Sequence, residues 1–168
     1  FHGPRYSAAE IGHLVINEDG PLCACGNRGC VEAYVGNGYF IEEVKRRLKR
    51  GEKSPILSKW MKKEGAILTP LLVAQAAKRG DVFSKQIWKE TGEHLGTSLV
   101  GLVNILNPQK VILGGGIAQN GEILFRPVIQ TIMKKAFPIA ARSVKVVPAK
   151  LGTDAGLIGA ASLVNSLK

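Results

Sequence analysis

An α/β fold with a parallel sheet and helical crossovers is the architecture this sequence predicts, and three observations predict it. Short β-rich runs, HLVIN at 13–17, KVIL at 110–113 and SVKVVPA at 143–149, alternate with longer stretches of helical periodicity. From residue 110 onward the order is strand, helix, strand, helix, the order in which parallel strands are joined through helices. The composition is 45% apolar and only 6% aromatic over 168 residues, so Leu, Ile, Val and Ala must fill one domain core.

Each element follows from local signals. His13 to Asn17 reads as a strand, and a loop rich in Gly and Cys follows from Asp19 to about Gly29. Helical signals begin near Glu32, break around VGNGYF, and resume from Ile41 to Arg50. GEKSPILSKWMKKEGAIL reads as loop with a short helix. Thr69 followed by Pro70 is a helix start, a capping hydroxyl with proline in the first turn, and Gly80 ends that helix. A long helix is predicted from Val82 to Leu106, because Leu95, Leu99, Leu102 and Leu106 recur at helical spacing before Asn107 and Pro108 stop it. Gly92 and Gly96 lie one turn apart on it, at a cost of about 1 kcal/mol each against alanine, which predicts close approach of a neighbouring helix or a ligand. KVILGGG reads as a buried strand ending in three glycines. A helix from about Gly121 to Ala136, a strand over SVKVVPA and a small-residue helix over DAGLIGAASLVNSL complete the chain. Three strands would leave an open sheet edge, which predicts neighbouring strands before Phe1 in a larger protein.

The charge excludes some functions and leaves others. Of the net +10, most is local: between Lys45 and Lys63 nine Lys or Arg face one acid, Glu52. This stretch is either the solvated basic end of a helix or a phosphate-contacting patch; no groove-reading motif accompanies it. No run approaches the roughly 18 apolar residues of a membrane span, and FHGPRYSAAE lacks the basic and apolar parts of a signal peptide. The expected location is cytoplasmic, with no membrane partner.

The chemistry concentrates in EIGHLVINEDGPLCACGNRGCVEAY. Cys23, Cys25 and Cys30 form C-x-C-x4-C, and an odd thiol count without a secretory signal argues against an internal disulfide framework. Soft ligands at this spacing suit zinc, which needs a fourth donor; His13 lies ten residues upstream. Buried or redox-active thiols are the alternative. A closed site of four protein ligands holds a loop and leaves no open position for a substrate. Glu10 and Glu32 flank it and are either acceptors for a polyhydroxylated ligand or ordinary solvent-facing acids. Gly114, Gly115 and Gly116, between a strand and a helix, serve either a nearby ligand or a tight turn. His94, on the long helix, reads as a packed or exposed histidine and not a catalytic one.

AAEIGH, CACGNRGCVEAY, LGGGIA and LGTDAGLIGAA together resemble the later half of the ROK family of bacterial repressors and sugar kinases, across almost the whole chain. The resemblance implies part of an actin-like ATPase (ribonuclease H-like) fold, a parallel or mixed sheet with flanking helices and a zinc-binding loop. Residues 1–168 would be the C-terminal lobe, with the zinc loop at 13–30 and the N-terminal lobe outside this chain. By resemblance His13, Cys23, Cys25 and Cys30 hold a structural zinc. Glu10, His13 and Glu32 contact hexose hydroxyls, and Gly114, Gly115 and Gly116 lie beside ATP, with Gly152 bordering the same cleft. The family's aspartate base and phosphate loop belong to its first half. Asp19, Asp81 and Asp154 lack the Asn-Asp context of that base, so no catalytic residue is assigned here. The implied activity is ATP- and Mg2+-dependent phosphorylation of glucose or an N-acetylated hexosamine, as in glucokinases. The alternative is the sugar-sensing effector domain of a repressor, where an upstream helix-turn-helix would read nucleic acid. Relatives imply a homodimer or homotetramer.

Overall fold

Asp81 sets where the longest element begins. Its carboxylate accepts the Ser84 N–H at 2.8 Å and so caps the helix α5, Val82–Leu106, which closes at Asn107 in the left-handed conformation (φ 42°). The computed structural model, which describes residues 3–63 and 65–165, arranges the other elements around this helix. Before it come a 3-10 turn at Ile11–His13 and helices α1 (Glu32–Val35), α2 (Asn37–Lys49), α3 (Pro55–Lys63) and α4 (Pro70–Lys78). After it come β1 (Lys110–Leu113), α6 (Glu122–Lys135), α7 (Pro138–Ser143), β2 (Lys145–Pro148) and α8 (Ala155–Asn165). Among the described residues no helix is long and apolar enough to cross a membrane.

The core lies between α5 and its neighbours. Trp88, Phe40, Val44, Leu57, Val73, Val103, Leu124, Val128 and Ile132 are all buried, with the Phe40 and Trp88 rings 4.8 Å apart. Burial of each such side chain contributes about 1.5–3 kcal/mol. Helix α6 packs along α5 because Gly92 and Gly96 offer no side chain there: the Pro127 ring fills the space over Gly92, and Thr131 and the Val128 carbonyl lie over Gly96. The predicted close approach is therefore that of a helix. Asp81 also ties α5 to α3, since the buried Ser54 hydroxyl donates to its second oxygen at 2.9 Å and in turn accepts the Leu57 N–H at 3.3 Å. Asp81→Ala leaves two buried donors without an acceptor, and we expect a loss of about 2 kcal/mol, read as a lower urea midpoint at unchanged slope.

Strands β1 and β2 pair in parallel, Lys110 with Lys145 through Leu113 with Pro148, with α6 and α7 as the crossover. The expected fold class, α/β with a parallel sheet and flanking helices, is what the chain adopts. Four expectations need correcting. HLVIN is not a sheet strand: Ile11–His13 is a 3-10 turn, and Val15 makes a single antiparallel bridge to Cys30, because the segment pairs with the returning arm of its own loop. KVIL is not a fully buried strand; Val111 and Leu113 pack inward, while Ile112 is 64% exposed on the other face. VGNGYF does not break the helix as far as Ile41, since only Gly36 turns extended and burial of Phe40 holds the rest in α2. The fourth concerns residues 137–142, between the expected helix and the expected strand, which form most of α7 with Pro138 at its first turn.

The start of the basic stretch, on the last turns of α2, is paired. Arg47, with 15% side-chain exposure, bonds Glu52 at 2.7 Å and Glu90 at 2.5 Å and lies over the Phe83 ring, while Lys45 and Arg46 pair with Glu42 and Glu43.

Candidate metal centre

A compact knuckle brings the predicted ligands together. The Cys23 N–H donates to the Asn27 carbonyl at 2.8 Å and the Gly26 N–H to the Cys23 carbonyl at 3.0 Å, which turns the chain back on itself between Cys23 and Cys30. The returning arm is fixed by the Gly29 N–H on the Pro21 carbonyl and the Ile16 N–H on the Gly29 carbonyl. Gly29 has φ 71°, and a Cβ there would overlap the Asn17 carbonyl, so only glycine permits this packing. His13, at the end of the 3-10 turn, closes the cluster from the other side.

The ligand atoms of His13, Cys23, Cys25 and Cys30 all lie within 4.8 Å of one another. His13 Nδ1 is 3.8 Å from Cys23 Sγ, and Cys25 Sγ is 3.6 Å from Cys30 Sγ. Disulfide sulfurs would be about 2.05 Å apart, whereas a tetrahedral zinc with bonds of about 2.0–2.3 Å spaces its ligands about 3.5–3.8 Å apart. The donor set and spacing therefore fit such an ion. Without an ion, burial, followed by the neighbouring Cys25 and Cys23, pushes the Cys30 thiol up to about 12, while the Asn27 backbone draws Cys25 down. Three thiols packed this closely resist joint ionisation unless a cation joins them.

The predicted carboxylates stand at the edge of this centre. Glu32 opens α1, two residues beyond Cys30, and its Oε2 is 3.6 Å from His13 Nδ1. Gly12 faces it: a Cβ at Gly12 would lie 3.6 Å from the Glu32 Cβ. Glu10 precedes the same turn and is exposed. Glu32 also lines a cleft of about 700 Å³ shared with Asn37, Tyr39, Leu68, Thr69 and Pro70.

Gly114, Gly115 and Gly116 follow β1, and a Cβ at Gly116 would come within 3.1 Å of the Asn37 amide. The glycine turn therefore meets the first residue of α2, the helix that follows Glu32. Gly115 has φ 86° and Gly152 φ 53°, with open space beside both. His94 is stacked on Tyr34 with centroids 4.0 Å apart, and burial lowers its pKa, as suits a packed histidine. The residue that sequence reading missed is Tyr39. Its hydroxyl accepts the Ala24 N–H at 2.7 Å, and its ring packs on Cys23, Cys30 and Ala33. Nothing in the pattern GNGYF signals this, because the contact depends on how α2 folds back over the loop.

A family model described as ROK family matches residues 1–166. The glucokinase of Thermotoga maritima is 35% identical over 156 residues, covering 93% of this chain and 49% of that protein. The DNA-binding transcriptional repressor Mlc of Escherichia coli is 30% identical over 167 residues, covering 99% of this chain and 39% of that protein. Among solved structures, a ROK family glucokinase from Streptomyces griseus in complex with glucose and AMPPNP superposes with a TM-score of 0.81 at 28% identity, covering 97% of this chain and 53% of that one. The chain spans about half the length, or less, of the curated relatives it matches.

Proposed function

The chain belongs to the ROK family, and from that premise we propose that it is the C-terminal lobe of an ATP-dependent hexose kinase. The observation that carries this reading is the meeting of four candidate metal-ligand atoms with Glu32, which lines a cleft shared with Asn37, the residue that abuts Gly116. Zinc, when bound, supplies a fixed cross-link among His13, Cys23, Cys25 and Cys30 and leaves no position for a substrate. His13 faces the sulfurs through Nδ1, so its Nε2 is the nitrogen left to address a sugar hydroxyl. Glu10 and Glu32 accept further hydroxyl protons, and charged acceptors at fixed places orient the sugar ring. Gly114, Gly115 and Gly116 let the backbone approach ATP and its Mg2+ without side chains in the way. The acceptor is glucose or an N-acetylated hexosamine, and the aspartate that takes its proton lies outside this chain. A cytoplasmic homodimer or homotetramer is the setting we infer.

One observation favours a second reading: the chain matches the repressor Mlc over 99% of its length, as fully as it matches the kinases. On that reading the same pocket senses a sugar, and nucleic acid is the partner of an upstream segment. A coupled ADP-release assay on the metal-loaded full-length protein, over a panel of hexoses, separates the two. Sugar-dependent ADP release is the expected result; its absence, with a sugar-dependent change in DNA affinity, would establish the repressor. Glu10→Gln is expected to weaken sugar binding about 10- to 100-fold, the loss of one hydrogen bond to a charged group, with metal content unchanged. Loss of metal in that variant would show that Glu10 serves the centre and not the sugar.

A further inference from the structure

Tyr39 belongs to α2, yet it reaches back to the backbone between two of the metal-ligating cysteines. Its oxygen accepts the Ala24 N–H at 2.7 Å. The Ala24 amide sits on the exposed rim of the knuckle, where water would otherwise compete for it. The ring is held by packing on the buried Cys23, Cys30 and Ala33, so the hydroxyl is presented by a fixed element. Two residues earlier, Asn37 abuts Gly116. The first turn of α2 thus touches the cysteine knuckle on one side and the glycine turn on the other.

We propose that Tyr39 is a positioning residue for the metal centre: its hydroxyl, by accepting the Ala24 N–H, orients the Cys23 to Cys25 backbone and locks the knuckle to α2. This inference rests on the reading of His13, Cys23, Cys25 and Cys30 as metal ligands. Groups that orient metal ligands from behind typically set 10- to 100-fold of the metal affinity.

The test compares wild type with Tyr39→Phe, which keeps the ring and its packing and removes only the oxygen. In the full-length protein, zinc competition against a chelator should show affinity reduced about 10- to 100-fold in the variant. The d–d absorption band of the Co2+-substituted form should shift, since the backbone carrying Cys23 and Cys25 is no longer fixed about the ion. A purely structural tyrosine would lower the melting temperature of metal-free and metal-loaded protein alike and leave the band in place. Unchanged affinity and an unchanged Co2+ spectrum overturn the proposal. A measurement on wild type alone does not depend on the variant folding: the Ala24 amide should be protected from hydrogen exchange in the metal-loaded protein, and exchange at the rate of an unbonded exposed amide overturns it. Wild-type protein that takes up no zinc at all would instead overturn the metal reading itself.

Discussion

On the proposed zinc reading, Cys30→Ser is expected to abolish zinc uptake. Removing one of four ligands should weaken binding on the order of 100- to 1,000-fold, since structural zinc sites of this kind hold their ion by about 10–16 kcal/mol shared among four donors. Metal content measured after dialysis should fall from one equivalent per chain to near none. The same holds for Cys25→Ser, and the contrast between the two separates ligation from packing. Cys30 is fully buried and Cys25 exposed. In metal-free protein Cys30→Ser should therefore cost a further ~1–2 kcal/mol for burying a hydroxyl among apolar atoms, while Cys25→Ser should be close to neutral. Stripping wild type with a chelator should reproduce the loop disorder of both variants, visible as faster hydrogen exchange over residues 20–31. One equivalent of zinc retained by either serine variant would mean that the ion is held elsewhere.

The two halves of the molecule differed in how much of this could be read beforehand, and the reason is physical. Signals that act within one or two turns were legible. Asp81 caps and Asn107 with Pro108 terminates α5, so both of its ends were predictable from sequence. Thr69 with Pro70 did the same for the start of α4. The candidate metal cluster was legible because ligation demands particular residue types at short spacing, and the chain brings His13, Cys23, Cys25 and Cys30 to one point. What was not legible depended on tertiary partners. HLVIN has strand composition, yet it pairs with Cys30 across its own loop. The leucine stripe on α5 buries Leu99 but leaves Leu106 exposed, because helical periodicity marks a face without showing how far the covering element extends. GNGYF carries two glycines, but Gly36 serves as the N-cap, so only Gly38 costs α2 about 1 kcal/mol, and burial of Phe40, at about 1.5–3 kcal/mol, outweighs it. Tyr39 lay beyond any pattern, since its partner is a backbone amide 15 residues away.

The glycines of α5 supply a test in which one substitution has opposite signs along one helix. Alanine replaces glycine in a helix with a gain of about 1 kcal/mol when nothing opposes it. Gly101 meets that condition: a Cβ there has nothing within 4 Å, so Gly101→Ala should raise stability by about 0.5–1 kcal/mol. At Gly96 the added Cβ would lie 2.6 Å from the Thr131 Cβ and 3.0 Å from the Val128 carbonyl oxygen. Neither neighbour can yield alone. The Thr131 Cβ is bonded to the backbone of α6, and its hydroxyl is committed to the Pro127 carbonyl at 2.8 Å. Relief therefore requires α6 to move off α5 as a body, which loosens Leu124, Val128 and Ile132 together. The expected cost of such overpacking, about 1–3 kcal/mol or somewhat more, exceeds the propensity gain. Gly96→Ala should lower stability by about 1 kcal/mol net, and denaturant midpoints of the two variants should fall on opposite sides of wild type. If Gly96→Ala proved as stabilising as Gly101→Ala, α6 would not lie against α5 as described, and the core built on that contact would need redrawing.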